Sequence, residues 1–475
     1  MGNTPLGWAV RNGHEAVVEI LLARDDIDPN KPDDNGQTPL MGAICDGHEG
    51  VVKMLLGRDD INPDQPDADG RTSLWWAANC GHEGVVRMLL GRENIDPDKP
   101  DDRGQTPLMG AVCNEYEGIV KMLLGRDDIN PDQPDLDGRT SLWWAAHCGN
   151  EGVVEILLGR DNIDPNKPDN YGETPLLRAT LNGREGVVKM LLGRDDIDPD
   201  KSDDSDRTPL WEAAVDGMYK EIVRMLLGRE DLDPNKPGKD GETPLGASAW
   251  NGDEELVKML LGRDDIDPDK PDNQGRTPLS YASEFGSEEV VEILLRRGNL
   301  NPDKSDEDGR TPLWWAARNG NERVVKILLE RDDVNPDKSD EDGQTPLSIA
   351  ANMGHERVVK MLLGRDDVNP NCSNERGQTP LWHAAHHGYE GIVKALLRRD
   401  DIYPDKPDNQ GQTPLSCATG NGHAGVVEIL LGRDRVSPDK LDNKGRIALS
   451  SAGRKGHTRA VALSQTLAAT THSAN

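Results

Sequence analysis

Phenylalanine is almost missing from this chain, with one in 475 residues, an aromatic share of 4% and an apolar share of 35%. So few large side chains cannot fill deep spherical cores, which argues against the three or so ordinary domains that the length alone would suggest. Positive charge is also scarce. With 55 Lys and Arg against 86 Asp and Glu the net charge is −31. Such a field repels phosphate backbones and anionic lipid, so nucleic-acid and membrane-surface partners are disfavoured and basic protein segments are favoured. No uninterrupted apolar run approaches the ~18 residues of a membrane span. The opening MGNTPLGWAV has no basic stretch followed by an apolar one, and Leu6 stands where a myristoylation signal wants Ser or Thr. The expectation is a cytoplasmic protein, with the nucleus as the alternative. Disorder is the weaker option, because ten Trp and dense blocks of Leu, Val and Ile are spread evenly along the chain.

Self-similarity accounts for this composition. Thr-Pro-Leu at Thr4 to Leu6 recurs at Thr38, Thr106, Thr174, Thr208, Thr243, Thr277, Thr311, Thr345, Thr379 and Thr413, Thr-Ser-Leu stands at Thr72 and Thr140, and Ile-Ala-Leu begins at Ile447. The anchoring leucines from Leu6 to Leu449 are separated by twelve steps of 34 residues and one of 35, giving fourteen units. The longer step holds an extra residue between Gly217 and Ile222.

The segment from Asp33 to Pro66, DDNGQTPLMGAICDGHEGVVKMLLGRDDINPDQP, shows what each part predicts. Thr38 suits a helix N-cap, and Pro39 suits the first helical position, where its missing N–H costs nothing. Ala43 and its counterparts, replaced only by Ser248 among the first thirteen units, let a neighbouring helix approach closely. Gly47, with Glu115 as the one exception in its column, suits the positive φ of a helix C-cap. In the second helix Glu49 lies near the positive end and Arg58 near the negative end. Val51, Val52, Met54, Leu55 and Leu56 cover most of that helix's circumference, so it must be buried on two sides, by the units before and after. The rest, rich in Asp, Asn, Pro and Gly, predicts a projecting loop or hairpin stiffened by Pro63 and Pro66.

The pattern D-x-x-G-x-T-P-L-x-x-A followed by G-H-E-x-V-V-x-x-L-L resembles the ankyrin-repeat family over practically the whole chain. The resemblance implies an all-α solenoid of about fourteen helix-turn-helix units with projecting acidic loops or hairpins. The expected organisation is a partial repeat over 1–32, twelve ankyrin repeats of 34 or 35 residues over 33–441, a degenerate capping repeat over 442–465 and a frayed tail over 466–475. In the cap, Ala460, Ser464 and Gln465 replace apolar residues, as the end of a solenoid requires. Three departures stand out. The family's His after Thr-Pro-Leu is replaced by residues such as Met41, Trp75, Trp143, Leu177, Trp211, Ser280, Trp314 and Trp382, Arg-Asp-Asp follows the second helix, and the loop from Ile61 to Gly70 is longer than usual. This variant resembles the ankyrin arrays of filamentous fungi, which often form the C-terminal sensor half of NLR-like receptors. The start at Asn3, without its own loop, fits either a natural beginning or a piece of a larger receptor.

Cys45 and Cys113 are two units apart, as are Cys80 and Cys148, within near-identical blocks that read as a duplication. Neighbouring units stack at roughly 10 Å, beyond the ~7 Å Cα limit for a bridge, so reduced thiols are expected. Of the ten Trp, nine follow an anchoring Leu by one or two positions and are expected between first helices.

Catalytic chemistry is thinly represented. Gly420, Gly422 and Gly425 spell G-x-G-x-x-G in a turn between helices and not after a strand. Asp265, Asp267 and Asp269 begin like a calcium loop, but Lys270 and Arg276 stand where Gly and Glu are needed. His48-Glu49 and His355-Glu356 lack a second His four positions on. His383, His386 and His387 share a helix face without an evident fourth metal ligand, since Cys372 lies in the preceding loop and Cys417 one unit later. No phosphate loop, nucleophile elbow or Asp-His-His-Cys block is present, so no cofactor, no metal and no catalysis are expected. An enzyme built on the His383 cluster or the Gly420 turn is the alternative of a different class.

In the ankyrin family, partners lie along the concave face built from finger tips and the exposed end of the first helix. The units differ most at those positions: Asn79-Cys80, Leu181-Asn182, Val215-Asp216, Trp250-Asn251, Glu284-Phe285, Asn352-Met353 and His386-His387. Leu181, Val215, Trp250 and Phe285 come from four successive units and are expected to form an apolar stripe, with Met353, His386 and His387 as further contacts. The leading reading is a non-catalytic, monomeric scaffold for a protein partner with basic segments, and the alternative is the ligand-sensing array of an NLR-like receptor.

Overall fold

A computed structural model describes residues 4–433 and 435–444. Among the described residues there are 26 helices and no strand. The chain divides into two compact units, Met1–Lys239 and Asp240–Asn475. Within the described residues the first holds seven helix pairs and the second six, each unit a row of the same motif. The expected capping repeat beyond residue 444 and the tail over 466–475 lie outside the described residues.

Each helix is only seven or eight residues long, too short to persist in water by itself. Local chemistry sets its ends. Thr38 has an extended backbone, and its hydroxyl accepts the Met41 N–H at 3.3 Å, with Pro39 at the first helical position. The same bond opens the other described first helices, as at Trp143 N to Thr140 Oγ1 (3.2 Å) and Trp382 N to Thr379 Oγ1 (3.1 Å). Packing supplies the rest. Pro39, Leu40, Met41, Gly42, Ala43 and Ile44 are all buried, and the small-residue column, from Ala43 to Ser248 and Ala418, is buried throughout. In the second helix, Glu49–Leu56, the residues Val51, Val52 and Leu55 are buried while Lys53 stays exposed.

Arg58 acts on the neighbouring unit, not on its own helix as its position in sequence suggests. Its guanidinium donates to the carbonyl of Leu22, the last residue of the preceding second helix, and pairs with Asp60 at 2.7 Å. Arg126 repeats this with Leu90 and Asp128, and Arg365 with Leu329 and Asp367. The Arg-Asp-Asp segment is thus a device for capping the neighbour's open carbonyls.

The fingers are runs of turns, joined edge to edge. The backbone N–H of Asp102 donates to Asp69 O at 2.9 Å and that of Leu136 to Arg103 O at 3.0 Å. In the second compact unit Glu341 N donates to Asp308 O and Glu375 N to Asp342 O, both at 2.8 Å. Gly70, at φ 80°, is required twice over: its backbone is left-handed, and a Cβ there would lie 2.7 Å from Asp102 N.

Two findings concern side chains. Among the nine Trp expected between first helices, Trp75, Trp143, Trp314, Trp315 and Trp382 are buried and Trp76, Trp144 and Trp211 partly so, but Trp8 is 59% exposed. Trp76, Trp144 and Trp315 each donate an indole N–H to the aspartate nine positions earlier. The cysteines also show a relation between neighbouring units that their spacing does not point to. The thiols of Cys45 and Cys80, in neighbouring units, act on each other's ionisation, and so do those of Cys113 and Cys148. This interaction pulls the Cys80 thiol down to about 7 and pushes the Cys45 thiol up. All six cysteines are free.

Two predictions concern stability. Glu115 occupies the left-handed C-cap at φ 62°, a position held by Gly in the other described units. Glu115→Gly is expected to stabilise the array by about 1 kcal/mol; an unchanged or lowered denaturation midpoint would contradict the cost assigned to that backbone. The second prediction uses a column of finger residues. Asn30, Asn166 and Asn371 accept the next unit's backbone N–H and donate their side-chain N–H to Asp60 O, Asp196 O and Asp401 O. Asp98, in the same column, accepts from Asn130 N at 2.6 Å, but its Oδ1 is buried without a partner. Burial pushes the Asp98 carboxyl up to about 6, despite the bond from Asn130 and with help from Asp96 and Asp128. A carboxyl whose folded value lies above its unfolded value of about 4 disfavours the fold once ionised, so stability falls as pH rises through about 6 and returns on acidification toward about 4. Asp98→Asn is therefore expected to add about 1 kcal/mol at neutral pH and to shrink the gain in thermal midpoint between about pH 7 and about pH 5. A variant less stable than the parent at neutral pH would refute this account of Oδ1.

Candidate partner-binding face

A polar joint recurs along this face. In the finger before Ser73–Cys80, Asp67 Oδ1 accepts the N–H groups of Asp69 (3.0 Å) and Arg71 (2.9 Å), and Oδ2 accepts the Trp76 indole N–H at 2.9 Å. The Arg71 guanidinium then lies over the rings of Trp75 and Trp76, 4.9 and 5.3 Å from their centroids. Asp135 with Trp144 and Arg139, and Asp306 with Trp315 and Arg310, repeat the joint. Tyr281 takes the indole's place opposite Asp272 at 2.5 Å, beneath Arg276, and burial with this bond pushes its phenol up. A buried carboxylate with both oxygens in use fixes each of these four fingers to its own helix. The nine-residue offset between Asp67 and Trp76 belongs to neither a helix nor a strand period, which hid the joint in the sequence.

Seven residues were expected at the partner surface. Leu181, ending the helix Pro175–Leu181, and Val215, within Pro209–Asp216, are half-buried in the first compact unit. In the second, Trp250 and Phe285 are 46% and 53% exposed and meet edge to face, 6.0 Å between centroids. Met353 is exposed at the end of Pro346–Met353. His386 is half-buried, stacked on Trp382 at 5.0 Å, with its Nδ1 3.1 Å from Cys417 Sγ and 3.1 Å from Asn421 Nδ2. Cys417, which seemed remote when counted along the chain, is therefore beside the histidine. His387 is exposed, with Nε2 3.1 Å from Asn352 Oδ1.

His383 is buried and lines a groove of about 520 Å³ together with Trp382, His386 and His387. Burial, reinforced by His387 and His386, drives its imidazole down to about 4, so it is neutral at physiological pH, and its Nε2 is buried without a hydrogen-bond partner. No group of three or more His, Cys, Asp or Glu is arranged to hold a metal ion among the described residues.

The other motifs have structural roles. Gly420 lies inside Pro414–Asn421, Gly422 is its left-handed C-cap, and Gly425 is in the next helix. Asp265 is paired with Arg263, Asp267 accepts Asp269 N, and Asp269 accepts Asn301 N. His48 and His355 open second helices and bond through Nε2 to Arg11 O and Arg318 O of the preceding units. Leu136 and Tyr171, 70% and 60% exposed at finger tips, were missed. Comparing the units column by column flags both, since they interrupt otherwise mostly polar tip positions.

No helix among the described residues is long and apolar enough to cross a membrane. No curated protein matches the chain. A family model described as ankyrin repeats (3 copies) matches residues 1–67, 60–135, 127–203, 210–303, 251–340, 298–372, 332–408 and 366–442. With Thr-capped first helices, left-handed glycine C-caps and stacked helix pairs repeating at that same interval, the chain belongs to the ankyrin-repeat family.

Proposed function

We propose that this chain is a non-catalytic, monomeric, cytoplasmic scaffold that binds a protein partner along its finger tips and first-helix ends. Ankyrin repeats generally mediate protein–protein interaction, and that general role is the starting point. The observation that carries the reading furthest is the exposed edge-to-face pair of Trp250 and Phe285. Large aromatics at the surface, rimmed by polar residues, are the usual anchors of a protein interface. Leu181, Val215, Met353, His386 and His387 are proposed as flanking contacts within their own compact units.

The net charge of −31 favours partners with basic segments. Many carboxylates are already engaged within the array, as Asp67 and Asp98 are, so the exposed remainder supplies the attraction. The finer likeness to fungal receptor arrays rests on the missing His, the Arg-Asp-Asp segment and the longer finger loop, and the Arg-Asp-Asp segment already has a structural use in capping neighbouring helices. A sensor array of an NLR-like receptor is therefore kept only as the second reading.

Capture from lysate at low and high salt, followed by mass spectrometry and titration of the purified partner, tests the proposal. Affinity is expected to fall as salt rises. Trp250→Ala with Phe285→Ala is expected to weaken binding by about tenfold or more, with the circular dichroism spectrum unchanged. Unaltered affinity in the double variant would remove the aromatic pair as the anchor.

A further inference from the structure

The two compact units offer an internal comparison. Trp143 and Trp382 each stand one residue after an anchoring Leu, and each carries a stacked histidine four residues on, His147 at 5.4 Å and His386 at 5.0 Å. Around Trp143 the set is completed by two arginines, Arg139 at 5.1 Å and Arg178 at 5.0 Å from its ring centroid. Around Trp382 both are replaced. Gln378 stands in the register of Arg139, and Cys417 in that of Arg178. Arg71 over Trp75 and Arg310 over Trp314 show that an arginine four residues ahead of this tryptophan is the usual cover. Arg207 precedes Trp211 by the same step, although it is engaged with Asp203. Among the described residues no arginine lies over Trp382.

Where those guanidinium groups are missing, the groove of about 520 Å³ opens, lined by Asp342, Gln344, Glu375, Arg376, Trp382 and His383. Gln344 Oε1 and His383 Nε2 are both buried without hydrogen-bond partners. A buried acceptor left unmet is costly, and a donor brought from outside would relieve that cost. Two carboxylates against one guanidinium leave the rim net negative.

We infer that this groove receives an arginine side chain of a partner protein, its guanidinium seated over Trp382 as Arg139 is over Trp143 and donating to Gln344 and His383. The planar fork of arginine matches several acceptors while keeping contact with an aromatic face, which a lysine ammonium does less well. A peptide-borne arginine fits better than free arginine, whose α-carboxylate would meet the Asp342 and Glu375 side. The inference deepens the protein-binding reading, but it is read by a small probe and not by a partner.

The test follows the Trp382 indole N–H resonance, assigned with Trp382→Phe, while the whole 475-residue chain is titrated with N-acetyl-arginine amide. Expected are a saturable shift of that resonance, an affinity at least about fivefold weaker for N-acetyl-lysine amide, and weaker binding of free arginine. Gln378→Arg should supply the missing side chain from within and abolish the shift. Gln344→Leu, which adds no charge, should weaken binding without changing the circular dichroism spectrum, and it serves if the first variant folds poorly. An unmoved Trp382 resonance, equal response to lysine, tighter binding of free arginine, or a shift undiminished in a folded variant would each overturn the inference. Loss of the probe response with salt-sensitive partner capture retained would sink the groove and leave the scaffold reading intact.

Discussion

No unit of this chain can bury its own apolar surface. Helices of seven or eight residues have too few internal hydrogen bonds to offset the ordering of their backbones, so what holds them is the face each presents to the next pair. The buried alanine column permits that approach, and the Thr hydroxyl together with the left-handed glycine aligns each pair so that the approach repeats. A nearest-neighbour sum of this kind explains how a sequence with a single Phe and 35% apolar content still folds.

The polar half obeys the same logic. Arg58 satisfies a carbonyl of the preceding unit, Asp98 takes a backbone N–H from the following one, and the finger tips share backbone bonds. Acidic residues that look like a solvated surface in the sequence are therefore partly mortar. The joint of Asp67, Trp76 and Arg71, with its three counterparts, then fixes those fingers against their helices, which gives a partner a firm edge to meet.

Much of this was legible in the sequence because period carries information. Thr38, Ala43 and Gly47 recur at fixed offsets, and their roles follow from the physics of helix ends and close packing. Features that join residues, within a unit or between units, at a distance unrelated to any local period were hidden. Cys45 and Cys80 are 35 residues apart, and the obvious spacing of 68 between near-identical blocks pointed away from their interaction. Trp76 finds Asp67 across a loop, and Arg58 works on a neighbour's helix end. At the candidate face, Trp250 and Phe285 stood out as departures from their columns, whereas the groove beside Trp382 is noticed only once Arg139 and Arg178 are seen clasping Trp143.

The dependence of every unit on its neighbours is tested most directly with a length series: the segment 33–66 alone, then two, three and more successive units, each measured by circular dichroism and denaturation. The single unit is expected to be unfolded, with helical signal and denaturation midpoint rising as units are added and then levelling off. A single unit with full helical signal and a cooperative transition of its own would contradict the account.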